Sequence, residues 1–289
     1  MAIEGMDVSY WQGDIDWVKA ASRINFAYIR AGYGNDYIDP RMVEYTKGCA
    51  DNSIPFGLYW YLKPGKDWRK HADNFAQFST YGDLPPVMDV EETGGLAKTE
   101  LESWIYKFAL RYEEAAGRDL MIYTSPGFWN GNLPKTNWAK NRRLWVAHWT
   151  TAAAPTLPYE WTDINQPRTW TFWQYSAGGN NQGANYGVSS DDIDLNRFNG
   201  DREAFKAAFG VYPHETGEPV PPPVEPPPAT YPEYVRTTAL WLTLRQSPQV
   251  LADNKSGYLP LNTQLKIEGA QGDWYKITGW VHKGYTKAE

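Results

Sequence analysis

Between Pro213 and Pro232 nine of twenty residues are proline, with uninterrupted triplets at Pro221-Pro222-Pro223 and Pro226-Pro227-Pro228. Proline lacks the amide hydrogen that helices and sheets use, and its ring fixes φ, so a segment this rich in it joins neither. It favours extended polyproline II, at about 3.1 Å per residue, and behaves as a semi-rigid spacer. The chain must therefore build one folded body before this stretch and another after it. We read the boundaries as a first domain at 1–212, a linker at 213–230 and a second domain at 231–289. A PxxP ligand is the other use of such a composition, but here the stretch divides two aromatic-rich segments of different character, which favours a linker.

Several function classes are disfavoured early. With 289 residues, 42% of them hydrophobic and 16% aromatic, the chain has the material for a sizeable core and is not a disordered protein. The formal charge is −6, and neither end is strongly basic: we count 21 basic and 26 acidic residues up to Tyr212, and 7 against 5 from Tyr231 onward. That balance argues against nucleic acid as the partner. Cys49 is the single cysteine, so no internal disulfide or CxxC site can form, and a buried structural thiol is expected. The histidines at 71, 148, 214 and 282 form no close pair, and no metal or other cofactor is called for. There is neither a basic-then-apolar opening like a secretory signal nor an apolar run of about 18 residues, so stable membrane insertion is not expected. A chain that acts outside the cell that makes it would then need another exit.

Before the linker, short apolar runs alternate with helical patterns. Ile3 to Val8 and Phe26 to Arg30 predict strands around a helix capped by Asp16. A helix from Pro40 to about Asn52 precedes a strand at Pro55 to Leu62. Trp68, Ala72, Phe75 and Ala76 fall at helical spacing ahead of a strand at Pro86 to Val90. Thr99-Glu100-Leu101-Glu102 reads as a capping box opening a helix whose stripe is Leu101, Trp104, Ile105, Phe108, Ala109 and Tyr112, with Gly117 at its C′ position. Further strands are expected at Leu120 to Tyr123, Leu144 to Trp149, Thr169 to Tyr175 and Asp192 to Leu195, then a helix near Asp201 to Phe209. This is the grammar of an α/β, TIM-like β/α barrel with missing or shortened helices in its second half.

Barrel chemistry sits where strands end at the C-terminal mouth. In Val87-Met88-Asp89-Val90-Glu91-Glu92, side chains two apart share a strand face, so Asp89 and Glu91 project together and Glu92 does not. Paired carboxylates about 5 to 5.5 Å apart suit glycoside cleavage with retention, one as acid and one as nucleophile or stabiliser. Alone this pair is a weak signal, since solvated D-x-E pairs are common. Asp7 closes the first strand and Asp194 the last, and barrel closure brings those strands together; capping a turn after the strand is the lesser alternative for each. Aromatics add to the case: Tyr59 and Tyr61 share a strand face, as do Trp173 and Tyr175, and Tyr123, Trp145 and Trp149 end other strands. Sugar faces stack on such rings, though most aromatics in a chain with 15 Trp and 20 Tyr must be core.

These residues resemble glycoside hydrolase family 25, the Chalaropsis-type lysozymes found among phage endolysins. The resemblance spans nearly all of residues 1–210. It rests on Gly5-Met6-Asp7-Val8-Ser9-Tyr10-Trp11-Gln12, Phe26-Ala27-Tyr28-Ile29-Arg30-Ala31, Tyr37-Ile38-Asp39-Pro40, Gly57-Leu58-Tyr59-Trp60-Tyr61 and Asp89-Val90-Glu91. Ile122-Tyr123-Thr124, Leu144-Trp145-Val146-Ala147, Trp173-Gln174-Tyr175-Ser176 and Asp194-Leu195-Asn196 complete it. It implies a flattened β/α barrel and cleavage of the β-1,4 bond between N-acetylmuramic acid and N-acetylglucosamine in bacterial peptidoglycan, with release by a phage holin-type route. It further implies Glu91 as general acid, Asp89 as stabiliser of positive charge by direct attack or through the substrate's N-acetyl group, and Asp7 and Asp194 as the remaining pocket acids. The implied substrate-binding set is Tyr59, Tyr61, Tyr123, Trp173, Tyr175 and Arg30. One departure from the family pattern is the stretch Gly178-Gly179-Asn180-Asn181-Gln182-Gly183-Ala184-Asn185 between the Trp-Gln-Tyr motif and Asp194. Beyond the linker, Leu242 to Pro248 and Trp274 to Val281 are similar to a bacterial SH3-type domain, a small all-β barrel implying cell-wall binding. A non-catalytic wall-binding protein and a glucosaminidase or chitinase on the same fold are the alternatives.

Overall fold

The computed structural model describes residues 2–162, 169–178 and 181–217, then 232, 234–237, 241–245, 247, 255–260, 263–271, 274–277, 279–282 and 286–288. The expected linker lies mostly outside the described residues, as do Gly179 and Asn180. Two compact units result, Met1–Pro223 and Val224–Glu289.

In the first unit β1 (Ile3–Val8), β2 (Phe26–Tyr33), a two-residue β3 (Tyr37–Ile38), β4 (Phe56–Tyr61), β5 (Val87–Asp89), β6 (Met121–Thr124), β7 (Leu144–Ala147), β8 (Phe172–Ser176) and β9 (Asp194–Phe198) form one sheet. Pairing of β1 with β2 as well as with β9 closes eight of these strands into a barrel, with β3 hanging on the edge of β2. All barrel neighbours run parallel except β9, which is antiparallel to both β1 and β8. The helices are α1 (Trp17–Ala21), α2 (Met42–Asp51), α3 (Trp68–Ala76), α4 (Lys98–Ala116), α5 (Pro126–Asn132) and α6 (Arg202–Phe209). As the pattern predicted, they thin out in the second half, where the described residues between β7 and β8 and between β8 and β9 hold 3-10 turns and no α-helix.

Strand parity organises the interior. Met6, Val8, Ala27, Ile29, Leu58, Trp60, Met88, Val90, Ile122, Val146 and Trp173 face outward and pack with the helices as one large core. Ile3, Phe26, Tyr28, Val87, Met121, Phe172 and Phe198 face inward and fill the bottom of the barrel. There α6 acts as a plug: Phe205 and Phe209 meet Phe198 and Phe172 at ring distances of 5.0 and 5.5 Å. Gly5 and Gly57 leave room for this filling, since a Cβ on Gly5 would lie 2.5 Å from the Phe26 ring and one on Gly57 2.3 Å from Tyr28.

Helix ends follow local chemistry. The Asp16 carboxylate accepts from the Lys19 N–H at 3.0 Å, and Gly117 takes the left-handed turn after α4 at φ 64°. The box expected at Thr99 is shifted: α4 starts at Lys98 after Ala97, whose own N–H donates to Glu100 at 3.1 Å, so only the carboxylate half of the box exists.

Among the described residues the second unit pairs antiparallel, with β10 (Tyr234–Thr237), β11 (Trp241–Arg245), β12 (Lys255–Pro260), β13 (Gln264–Lys266), β14 (Gly269–Gln271), β15 (Trp274–Ile277), β16 (Gly279–His282) and β17 (Thr286–Ala288) in two sheets. The run from Trp274 to Val281 holds β15 and β16, paired with Ile277 opposite Gly279. Val235, Leu265, Ile267 and Ile277 form its small core.

Candidate active site

Parity that sends apolar side chains to the barrel floor sends polar ones to its mouth. On β1 the inward series is Ile3, Gly5, Asp7; on β2 it is Phe26, Tyr28, Arg30; on β8 it is Phe172, Gln174. At the mouth a cleft of about 220 Å³ is lined by Asp7, Ser9, Trp11, Gln12, Arg30, Tyr59, Tyr61, Asp89, Glu91, Tyr123, Trp145, Gln174 and Asp194. All four candidate acids and Tyr59, Tyr61, Tyr123 and Arg30 from the expected binding set therefore meet. Asp194 arrives by a different route from that expected. It begins β9 rather than ending a strand, and reaches the mouth because β9 runs backwards, opposite Asp7.

Trp173 and Tyr175 are not brought there. They share a face, but it is the outer one: Trp173 is buried in the helix-side core, and Tyr175 lies under the Arg197 guanidinium at 4.1 Å. The Trp173 indole donates to the His148 carbonyl at 2.7 Å, and so acts on the loop after β7. Gln174, between them, is the residue of that strand that enters the cleft.

Asp89 and Glu91 line the same cleft, and each bears on the other's hold on its proton. β5 stops at Asp89, so Glu91 belongs to the segment beyond the pleat and strand spacing does not set its distance from Asp89. Burial, then the Glu91 charge, pushes the Asp89 carboxyl well above the usual carboxylate range. Burial is also the main cause of a raised Glu91, offset by its hydrogen bond to Asp89 and reinforced by Asp194 and Glu92. Carboxyls that interact this strongly titrate as a pair rather than singly. Glu92 points away and is neutralised differently: it accepts from the Tyr61 hydroxyl at 2.9 Å and pairs with Lys63, which keeps it below the ordinary range despite some burial.

The second pair rests on a buried amide network that the motif reading passed over. The Oδ1 atom of Asp7 accepts from Gln174 Nε2 at 2.9 Å and from Asn196 Nδ2 at 2.8 Å. Gln174 Nε2 also reaches Asp194 Oδ2 at 3.4 Å, and the Gly178 N–H donates to Asp194 Oδ1 at 2.9 Å. The Trp145 indole donates to Asn196 Oδ1 at 2.8 Å, so that side chain, although it lines the cleft, also braces it. Burial, followed by the Asp194 charge, raises Asp7 to about 8, against the lowering effect of the two amides. Arg30 is held by Asp39 at 2.8 Å and stacks over Tyr10 at 5.1 Å.

A neighbouring cleft of about 410 Å³ is lined by Glu91, Ser125, Pro126, Gly127, Ala147, His148, Trp149 and Thr156. Glu91 thus borders both depressions, with exposed Trp11 on one side and exposed Trp149 on the other. An elongated substrate crossing from one to the other would pass over it. Both tryptophans were visible in the sequence, Trp11 inside the first motif and Trp149 after β7, yet only closure of the barrel sets them on opposite sides of one carboxyl.

The family model for glycosyl hydrolases family 25 matches residues 6–184. Among curated proteins, Lysozyme M1 of Streptomyces globisporus is 37% identical over 215 residues, 68% of this chain and 68% of that protein. The N,O-diacetylmuramidase of Chalaropsis sp is 28% identical over 209 residues, 65% of this chain and 96% of its own length. Among solved structures, the bacterial lysozyme from Streptomyces coelicolor superposes with a TM-score of 0.61 at 33% identity, covering 72% of this chain and 97% of that one.

Proposed function

The chain belongs to glycosyl hydrolases family 25, and from that premise we propose how its cleft works. The protein is a glycoside hydrolase, a lysozyme-type muramidase that cleaves the β-1,4 bond between N-acetylmuramic acid and N-acetylglucosamine in peptidoglycan. Glu91 is its general acid. The observation that carries this assignment is position: Glu91 alone among the four acids borders both clefts, where a glycosidic oxygen would sit as the glycan passes from one to the other. A general acid must hold its proton at working pH, and the Glu91 carboxyl is raised, with the Asp194 and Glu92 charges contributing and Asp89 opposing. Asp89, more deeply buried than Glu91, is the carboxyl that in its ionised form stabilises the positive charge developing on the sugar. Asp7 and Asp194 border the same cleft and set the field around both.

The test is Glu91→Gln, which keeps shape and removes the proton. Release of reducing ends from purified wall should fall by about 10² to 10⁴-fold, the usual worth of a positioned acid, while the variant still sediments with walls. Undiminished release would sink the assignment. A digest of wild type carrying muramic acid at the new reducing ends supports a muramidase; glucosamine there would mean a glucosaminidase.

The second unit supplies wall affinity in this reading. Support comes from its resemblance in strand motifs to SH3-type wall-binding modules and from its small antiparallel core. An endolysin role, with release by a holin-type route, follows from the resemblance of the sequence motifs. Expression in a host cell with and without a holin would test it, lysis without a holin counting against that route.

A further inference from the structure

Indole and hydroxyl groups differ in one respect that matters beneath the acids. An indole N–H only donates, whereas a tyrosine hydroxyl donates or accepts. Gln174 Oε1 receives the Tyr123 hydroxyl at 2.8 Å and the Trp149 indole N–H at 3.0 Å. With Tyr123 alone the amide could turn over, presenting its oxygen to a protonated Asp7 and its NH2 to the Tyr123 oxygen. Trp149 forbids this, because an NH2 group facing its N–H would set donor against donor. The indole therefore decides which end of Gln174 meets the carboxyls.

The location of Trp149 is unusual for such a task. Gln174 is 2% exposed and Trp149 is 62% exposed. The loop that carries the indole is pinned on both sides, by the His148 N–H on the Gln174 carbonyl at 3.1 Å and by the Trp173 indole on the His148 carbonyl at 2.7 Å. Its ring lines the same cleft as Glu91. A surface side chain in the path of the substrate thus holds the orientation of a buried amide.

We propose that Trp149 is a positioning residue for the hydrolysis, acting through Gln174 to keep the amide NH2 on Asp7 and Asp194. The inference rests on the muramidase reading above. The charged and titratable groups lining this cleft are Asp7, Asp194, Asp89, Glu91, Arg30, Tyr59, Tyr61 and Tyr123, with His148 beside the indole. Loss of the indole donor weakens amide donation to Asp7 and Asp194, and a carboxylate that loses donors is harder to ionise.

The experiment compares wild type, Trp149→Phe, Gln174→Met and the double variant on soluble glycan strands prepared from peptidoglycan. It reads kcat, KM and the pH profile of reducing-end release, with thermal melts to check folding. Phenylalanine keeps an aromatic face for the sugar and removes only the N–H. Trp149→Phe should lower kcat about tenfold with KM nearly unchanged, and should move the pH profile to higher pH. In the Gln174→Met background the same change should cost nothing further, since its route is already cut. Unchanged kcat and pH profile in Trp149→Phe, a change confined to KM, or effects that simply multiply in the double variant would each overturn the proposal. If Gln174→Met fails to fold, the pH profile of Trp149→Phe decides alone. Wild type that releases no reducing ends would instead overturn the muramidase reading on which this rests.

Discussion

Asp7 has a cost that can be measured apart from catalysis. Its carboxyl is raised to about 8 by burial and by the Asp194 charge, whereas an unfolded aspartate titrates near 3.9. Between those values the folded state binds more protons than the unfolded one, so stability falls as pH rises from about 4 towards 8 and levels off above. Below about 4 both states are protonated and the penalty vanishes. Asp7→Asn keeps an oxygen to accept from Gln174 and Asn196 and removes the charge. Differential scanning calorimetry should find the variant melting higher than wild type by at least about 2 °C at pH 8, the scale of 1 kcal/mol in a domain of this size, with the difference shrinking towards pH 4. A gain independent of pH would show that Asp7 is not held protonated by its surroundings. The same substitution should depress hydrolysis, which makes Asp7 a residue kept for function against stability.

Elements carry this site through parity and direction, and these were legible to different degrees. Asp7, Asp89 and the ring pair Tyr59 and Tyr61 could be placed from i, i+2 alternation because β1, β4 and β5 are short, regular and bounded by turn residues. The error at Trp173 and Tyr175 was one of phase: alternation says which residues share a face, not which face is inside, and aromaticity pointed to the wrong one. Gln174 was inside the quoted motif, but a lone amide between two rings gives no signal until Asp7, Asp194 and Trp149 are known to surround it. The reversed β9 was equally hidden, since a strand's direction depends on the length and path of the loop before it rather than on its own residues. The thin helical signal after Tyr123 was real and reads directly as α5 and 3-10 turns. The floor of the barrel gives an element-scale prediction. Gly5→Ala would drive a methyl to within 2.5 Å of Phe26, whose ring is already wedged against Phe172 at 4.7 Å. Such overpacking costs about 1 to 3 kcal/mol, so the melting temperature should drop by several degrees while the mouth chemistry, on the opposite end of β1, keeps its pH profile. A melt equal to wild type would mean that the floor has slack the distances deny.

At the scale of the whole molecule the question is where the enzyme ends. Composition put the boundary at Tyr212, yet the chain just beyond it is still sewn to the first unit. The His214 N–H donates to the Asn25 carbonyl at 2.9 Å, the Asn25 amide donates to the His214 carbonyl at 2.7 Å, and Arg202 pairs with Glu215 at 2.7 Å. Asn25 in turn accepts from the Glu4 N–H at 2.8 Å with its Oδ1, so the tail closes the junction between β1 and β2. Cutting after Tyr212 leaves a buried amide without its carbonyl, a loss of about 1 to 3 kcal/mol; cutting after Gly217 does not. Each unit owns its core residues, Ile3 to Phe205 in the first and Val235 to Ile277 in the second. Residues 1–217 should therefore melt several degrees above residues 1–212 and match the full chain's kcat on soluble glycan strands. On intact walls the full chain should lead by roughly 10- to 100-fold at low enzyme concentration, because a tethered binding module raises local concentration without altering the chemistry. That advantage should shrink as enzyme concentration rises. A 1–217 fragment that folds but leaves soluble glycan uncut would show that the second unit contributes to the reaction itself, and equal rates on intact walls would show that it contributes no affinity.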